Sequence, residues 1–186
     1  MRIIAGKYRG RKLKSPPSLN TRPTSDRLRE TLFNILAPRI EGARLLDLCA
    51  GSGAVGIEAL SRGAAHVTFV DRSQRMCALV EANLELCRVA DEQRRVVSSE
   101  AAEFLRRGPK RQEQPWNIVF FDPPYAENYD RVLELFAAHA TLLLANQGLL
   151  VVEHQRQNEL KDELGSLRRQ RVLKQGDSAL SFYAPK

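Results

Sequence analysis

Leu45-Leu46-Asp47-Leu48-Cys49-Ala50-Gly51-Ser52-Gly53-Ala54-Val55-Gly56-Ile57-Glu58-Ala59-Leu60 constrains the chain more than any other stretch. It reads as a buried strand, a tight glycine turn and a helix in immediate succession. Leu45, Leu46 and Leu48 are the apolar run of the strand. Gly51 and Gly53 supply backbone conformations that side chains disfavour. Val55, Ile57, Ala59 and Leu60 continue as a largely apolar helix. A ligand can approach such a turn closely, and the helix start offers unpaired N–H groups.

Gly51, Gly53 and Gly56 match the G-x-G-x-x-G spacing of a dinucleotide site. Asp47 argues for a different ligand. A carboxylate four residues before the first glycine repels a pyrophosphate and favours a cation. S-adenosylmethionine (SAM) carries an ammonium and a sulfonium and suits this approach better. A glycine turn with no ligand remains the alternative at this point. Asp71 ends the next strand, His66-Val67-Thr68-Phe69-Val70, 20 residues after Gly51. A carboxylate there is placed to accept both ribose hydroxyls of an adenosyl ligand, whether SAM or NAD.

Charge is distributed unevenly. Residues 1–44 hold eleven Lys or Arg against three acids, so this segment carries the whole net charge of +7 and leaves the remainder close to neutral. A basic segment of this kind attracts phosphate backbones. The residues placed to do so are Arg2, Lys7, Arg9, Arg11, Lys12, Lys14, Arg22, Arg27 and Arg29. Ile3, Ile4, Tyr8 and Leu13 around Gly6 and Gly10 predict a short hairpin. Ser15-Pro16-Pro17-Ser18 is a linker. A helix starts at Thr24, Ser25 or Asp26, buries Leu28, Leu32 and Ile35/Leu36, and is limited by Pro38. Arg22, Arg27 and Arg29 fall outside that apolar face. The expected division is a basic extension over 1–40 and an α/β domain over 41–186.

The chain has no apolar run long enough to span a membrane and no secretory apolar core at its start. Cys49, Cys77 and Cys87 lack metal spacing and an obvious pairing. They read as thiols in a reducing compartment, the cytoplasm. No metal is expected, and nothing demands an oligomer.

Beyond Asp71, Ser73 to Arg88 predicts a helix with Met76, Leu79/Val80, Leu84 and Cys87 on its buried side. A short strand at Arg95-Val96-Val97 leads to Glu100 and Ala101, where an adenine ring would lie, and to a helix ending at Arg107. Gly108 to Pro115 is a polar loop. Trp116-Asn117-Ile118-Val119-Phe120-Phe121 then runs as an apolar strand into Asp122-Pro123-Pro124-Tyr125. An exocyclic amine on a nucleobase is a poor nucleophile because its lone pair is delocalised into the ring. A carboxylate and a backbone carbonyl can accept its two N–H groups and turn the lone pair toward a methyl donor. Pro123 and Pro124 stiffen the loop. Tyr125 offers a stacking face for an extruded base. A strand followed by a Pro-rich turn would look the same in isolation. After a SAM-type glycine motif, this tetrapeptide speaks against the dinucleotide reading.

The rest is framework. Helices are expected over Tyr129 to Ala138 and Asn158 to Leu164. A buried strand covers Gly148 to Glu153. Leu167 to Leu173 and Ala179 to Tyr183 form an antiparallel hairpin around Gln175-Gly176-Asp177. His139 and His154 read as solvent-facing or locally hydrogen-bonded. Strand–helix alternation before the hairpin predicts a mostly parallel sheet with helices on both faces.

Asp47-Leu48-Cys49-Ala50-Gly51-Ser52-Gly53 together with Asp122-Pro123-Pro124-Tyr125 resembles a class I SAM-dependent methyltransferase acting on an exocyclic amine. Arg2-Ile3-Ile4-Ala5-Gly6, Arg9-Gly10-Arg11 and the run from Arg22-Pro23-Thr24-Ser25-Asp26 to Asn34 resemble the RsmD family of bacterial 16S rRNA guanine-N2 methyltransferases. The resemblance covers essentially the whole chain. It implies a Rossmann-like fold with a seven-stranded sheet and an antiparallel last strand. It implies methylation of one guanine in the small ribosomal subunit or an assembly intermediate. It places Asp47, Gly51 and Gly53 at the methionine end of SAM, Asp71 at the ribose, and Glu100 and Ala101 at the adenine, with Ala50 and Arg72 also among the cofactor contacts. The hairpin and basic helix would hold RNA. Three other readings stay open: an adenine-N6 methyltransferase on DNA or RNA, a protein-amide methyltransferase, and a non-catalytic SAM-binding assembly factor.

Overall fold

The structure is a computed structural model, and it describes residues 1–16, 26–108, 114–123 and 129–186. Helix α1 (Asp26–Ile40) leads into β1 (Arg44–Leu48), α2 (Ala54–Ser61), β2 (His66–Asp71) and α3 (Gln74–Cys87). A 3₁₀ turn at Asp91–Gln93 precedes β3 (Arg94–Ser98), α4 (Ala101–Arg107), β4 (Trp116–Phe121) and α5 (Asp130–Leu143). Four strands close the chain: β5 (Leu144–Gln155), β6 (Glu163–Leu164), β7 (Leu167–Gln175) and β8 (Ser178–Pro185).

They form one sheet in the order β3-β2-β1-β4-β5-β8-β7-β6. The first five strands are parallel, and β8, β7 and β6 add antiparallel. Strand order reverses between β1 and β4, which opens a crevice at the carboxyl ends of the parallel strands. The expected α/β class and C-terminal hairpin are observed. The sheet has eight strands rather than seven, because the two-residue β6 pairs with β7.

Alternation along each strand splits the core into two layers. Leu45, Val67, Ile118, Phe120 and Val151 face α1, α2 and α3. Leu46, Leu48, Val119, Phe121 and Val152 face α4 and α5. A parallel sheet covered on both faces explains why β1 and β2 read as near-continuous apolar runs.

Several expectations are corrected. Asn158 to Leu164 is not helical, and its last two residues are β6. Helix α1 runs through Pro38 to Ile40. Proline removes one backbone donor, but in the last turn that loss is small beside the burial of Ile40. Helix α5 and strand β5 are longer than expected, α5 with non-helical backbone at His139. On α3, Val80, Asn83, Leu84 and Cys87 are buried, whereas Met76 and Leu79 are half-buried. The N-terminal hairpin reduces to a single antiparallel bridge, Arg2 with Lys12. Backbone bonds from Ile3 to Arg11, Gly10 to Ile3 and Leu13 to Met1 hold its arms together.

This N-terminal arm is packed onto the domain. Ile3, Tyr8 and Leu13 join Leu28, Leu32, Phe33 and Leu36 of α1 in one core layer. The Glu58 carboxylate on α2 accepts the N–H groups of Ile4 (2.8 Å) and Ala5 (3.0 Å). Ser61 accepts from Lys7 at its carbonyl (2.7 Å) and from Tyr8 at its hydroxyl (2.9 Å). Gly6 makes this approach possible: a Cβ there would lie 1.8 Å from the Ser61 carbonyl oxygen.

Candidate functional site

The carboxyl end of β1 breaks sharply. Cys49 (φ 63°), Gly51 (φ 55°) and Gly53 (φ 76°) all adopt left-handed backbone. The Ala50 N–H donates to the Val70 carbonyl (3.0 Å), and the Gly53 N–H donates to the Ala50 carbonyl (2.8 Å). The turn thus rests against the tip of β2 before α2 begins. Asp71 ties the two tips together: its carboxylate accepts from the Gly51 N–H and the Ser73 N–H, each at 2.9 Å. An ionised carboxylate has about four acceptor positions, so capacity remains for a diol.

An open cleft lies beside these tips, lined by Cys49, Val70, Asp71, Arg72, Ser99, Glu100 and Ala101. Arg72 and Glu100 stand at its rim, their charged atoms 3.9 Å apart. The Ser99 N–H donates to the Asp71 carbonyl (3.0 Å), which fixes the β3 exit against the β2 exit. Asp71, Arg72, Glu100 and Ala101, expected as ligand contacts, therefore share one wall. Cys49, Val70 and Ser99 were not singled out in the sequence. The available signal was position, since each lies at or within a residue of a strand end.

Asp47 differs from its expected role. It is 2 % exposed and accepts the Gly56 N–H at 2.9 Å. It braces the start of α2 from beneath the turn. Burial pushes its carboxyl up to about 8, and the neighbouring Asp71 charge adds to this, against the opposing Gly56 hydrogen bond. Between the ordinary carboxylate value and about 8 the folded protein holds a proton that the unfolded chain has released. Stability therefore falls as pH rises through that window and levels off above it. Asp47→Asn, which keeps an acceptor for Gly56, should remove this slope. Denaturant titrations from pH 5 to 9 check it, and an unchanged slope would place the titration elsewhere.

Asp122 follows β4 directly. Leu48 pairs with Phe121 in the β1–β4 register, and the Asp122 N–H donates to the Leu48 carbonyl (3.3 Å). The carboxylate's strand position is thus one step from the glycine turn, on the other side of the order reversal. Pro123 is buried beside it. Pro124, Tyr125 and Arg22 lie outside the described residues, as do Thr24 and Ser25.

Of the basic residues, Arg2, Lys7, Arg9, Arg11, Lys12, Lys14 and Arg27 are exposed. Arg29 is not available to a partner: it is 0 % exposed, and its Nη2 donates to the Arg2 carbonyl (2.6 Å) and to Asp26 (3.0 Å). The arm covers the helix face that spacing alone assigns to solvent. His154 is buried, with its ring nitrogens 2.9 Å from the Gln155 carbonyl oxygen and from Ser181 Oγ, while His139 is exposed. No helix among the described residues is long and apolar enough to cross a membrane.

Comparison with known proteins agrees with this geometry. The family model described as conserved hypothetical protein 95 matches residues 1–184. YlbH of Bacillus subtilis, provisionally named an rRNA methyltransferase, is 38% identical over 183 residues, 98% of each chain. The ribosomal RNA small subunit methyltransferase D of Escherichia coli K12 is 42% identical over 161 residues, covering 86% of this chain and 77% of that one. The solved structure of YhhF from Escherichia coli, provisionally described as a methyltransferase, superposes with a TM-score of 0.84 at 38% identity, covering 100% of this chain and 98% of that one.

Proposed function

The chain belongs to the RsmD family, matched over residues 1–184, and from that premise we propose that it transfers a methyl group from SAM to the exocyclic N2 of a guanine in small-subunit rRNA. The placement of Asp122 supports this reading most directly. It stands at the end of β4, bonded to the strand that carries the glycine turn. SAM, when bound, supplies an electrophilic methyl carried on a sulfonium. The cleft fits its adenosyl part: Asp71 retains acceptor capacity for the ribose hydroxyls, and Ser99, Glu100 and Ala101 line the side where the adenine would lie. The backbone of Ala50, Gly51 and Gly53 receives the methionine end, with Asp47 holding the turn in shape.

Asp122 then does two things. Its carboxylate accepts an N–H of the amine, which fixes the group and frees the lone pair from conjugation. It also takes the proton that the amine must lose as the N–C bond forms. Alignment of amine and methyl supplies much of the rate. Residues 1–40 act as the RNA-holding extension of the catalytic unit 41–186, with Arg2, Lys7, Arg9, Arg11, Lys12, Lys14 and Arg27 facing phosphates.

The reaction is tested with purified protein, labelled SAM and small subunits lacking the modification, followed by nucleoside mass spectrometry. N2-methylguanosine is expected. N6-methyladenosine would overturn the base assignment and keep the mechanism. No transfer to subunits, naked rRNA or DNA would overturn the enzymatic reading. Reversing the charges at Arg9, Arg11 and Lys12 should weaken RNA binding at constant SAM affinity. Loss of three single-strand phosphate contacts lowers the slope of log K against log salt by about 2. A fall in SAM affinity with the RNA slope unchanged would remove the arm from the RNA site.

A further inference from the structure

Asn83 of α3 is 0 % exposed, and the chemistry above makes no use of it. Its carboxamide is nevertheless fully engaged, and with two separate segments. Oδ1 accepts the Lys14 N–H (2.8 Å), and Nδ2 donates to the Lys14 carbonyl (3.1 Å). The same Nδ2 donates to the Ser52 carbonyl (2.9 Å), which lies between Gly51 and Gly53 in the cofactor turn. A second contact joins the same two regions, from Ser52 Oγ to Met1 Sδ (3.7 Å). One rigid amide plane therefore carries both the end of the basic arm and the middle of the glycine turn.

We propose that Asn83 is a positioning residue that couples the two binding events, so that cofactor in the turn and RNA on the arm strengthen each other. The inference rests on the functional reading above and adds an order of energetics to it. The arm is seated on α2 and α3, the helices that spring from the two cofactor-binding strand tips. Its backbone amides are taken by Glu58 and Ser61 on α2 and by Asn83 on α3. Glu58 and Ser61 hold the arm without a side-chain bond to the turn, whereas Asn83 reaches both. A ligand that fixes the Ser52 carbonyl narrows the positions open to Nδ2, and with them those of Lys14. Phosphate held at the arm acts in the reverse sense. Coupling of this kind is reciprocal by thermodynamic necessity.

The test is calorimetric titration of S-adenosylhomocysteine, which cannot be turned over, with and without a saturating small-subunit rRNA transcript. For the wild-type protein the dissociation constant should fall about 5-fold or more when RNA is present. Asn83→Asp keeps the acceptor for Lys14 and removes both donations. Its factor should drop to about 1, with the salt slope of RNA binding unchanged, which a purely structural role would not produce. If that variant does not fold, hydrogen exchange on the wild-type protein decides. S-adenosylhomocysteine alone should slow exchange of the Lys14 amide, and RNA alone should slow that of Gly53. Both ligands binding independently, or a coupling factor retained in Asn83→Asp, overturns the coupling and leaves the methyltransferase reading intact. A wild-type protein that binds neither the transcript nor small subunits lacking the modification overturns the RNA reading itself and the coupling with it.

Discussion

Asp122→Ala lowers methyl transfer by about 10³-fold while S-adenosylhomocysteine binds as tightly as before. The magnitude follows from the work assigned to one carboxylate. Positioned proton acceptors contribute roughly 10²–10⁴-fold, and the proposed role has the same group orient the amine. The unchanged affinity follows from place. Asp122 follows β4, whereas the cleft is lined from the exits of β1, β2 and β3. The backbone bond from Asp122 to Leu48 joins the two regions, and an alanine keeps it. Asp122→Asn should fall between the two proteins, since it retains an acceptor and loses the charge. Single-turnover rates and calorimetry on the same preparations separate the two effects. Turnover within a few-fold of wild type would remove Asp122 from the reaction, and a matching loss of affinity would make it a cofactor contact instead.

The parts of the site that the sequence announces are those written in consecutive residues. Strand, turn and helix around Gly51 and Gly53 are adjacent, and so are β4 and Asp122-Pro123. The parallel register then brings their ends together without further instruction, because Leu48 pairs with both Val70 and Phe121. What the sequence hides depends on docking between distant segments. Arg29 looks like a solvent-facing cation by helical spacing. It is buried because residues 1–13 fold over it, and that depends on Gly6 meeting Ser61 fifty-five residues away. Glu58 reads as a stray acid in an apolar helix, and Asn83 as an unremarked helix residue. Each takes its meaning from backbone N–H groups in the arm. Asp47 is a partial case. Its importance was legible from its position before the glycines, but its contact with Gly56 places it under the turn rather than in the cleft. Strand β6 is too short to carry a pattern, and the edge of β7 decides it.

Glu58→Ala should be the most destabilising single change outside the sheet, and the reason lies in what it leaves behind. The Glu58 side chain is 0 % exposed, as is that of Arg29, and the two approach to 3.8 Å. Arg62, which caps the end of α2, adds a 2.8 Å contact to the same carboxylate. The Arg29 guanidinium has no hydrogen bond at Nε or Nη1 among the described residues. Glu58 is thus the buried negative charge beside an incompletely bonded buried cation. Removing it leaves the buried Arg29 with only the half-exposed Asp26 carboxylate as counter-charge and orphans the N–H groups of Ile4 and Ala5 at once. Breaking a buried pair from one side costs about 3–5 kcal/mol. In a domain of this size that lowers the melting temperature by on the order of 10 °C. Replacing both partners with apolar residues of similar volume, Arg29→Met with Glu58→Leu, should recover part of the loss, since no fully buried ion is left without its partner. The two positions must then show strong non-additivity in a double-mutant cycle. Thermal denaturation of Arg29→Met, Glu58→Leu and the double variant gives the answer. Additive losses would mean that the arm is held by its apolar anchors, Ile3, Tyr8 and Leu13, and that the carboxylate only marks where it lands. A Glu58 loss that shrinks once Arg29 is already gone makes Glu58 the counter-charge that lets the basic arm share a core with the α/β domain.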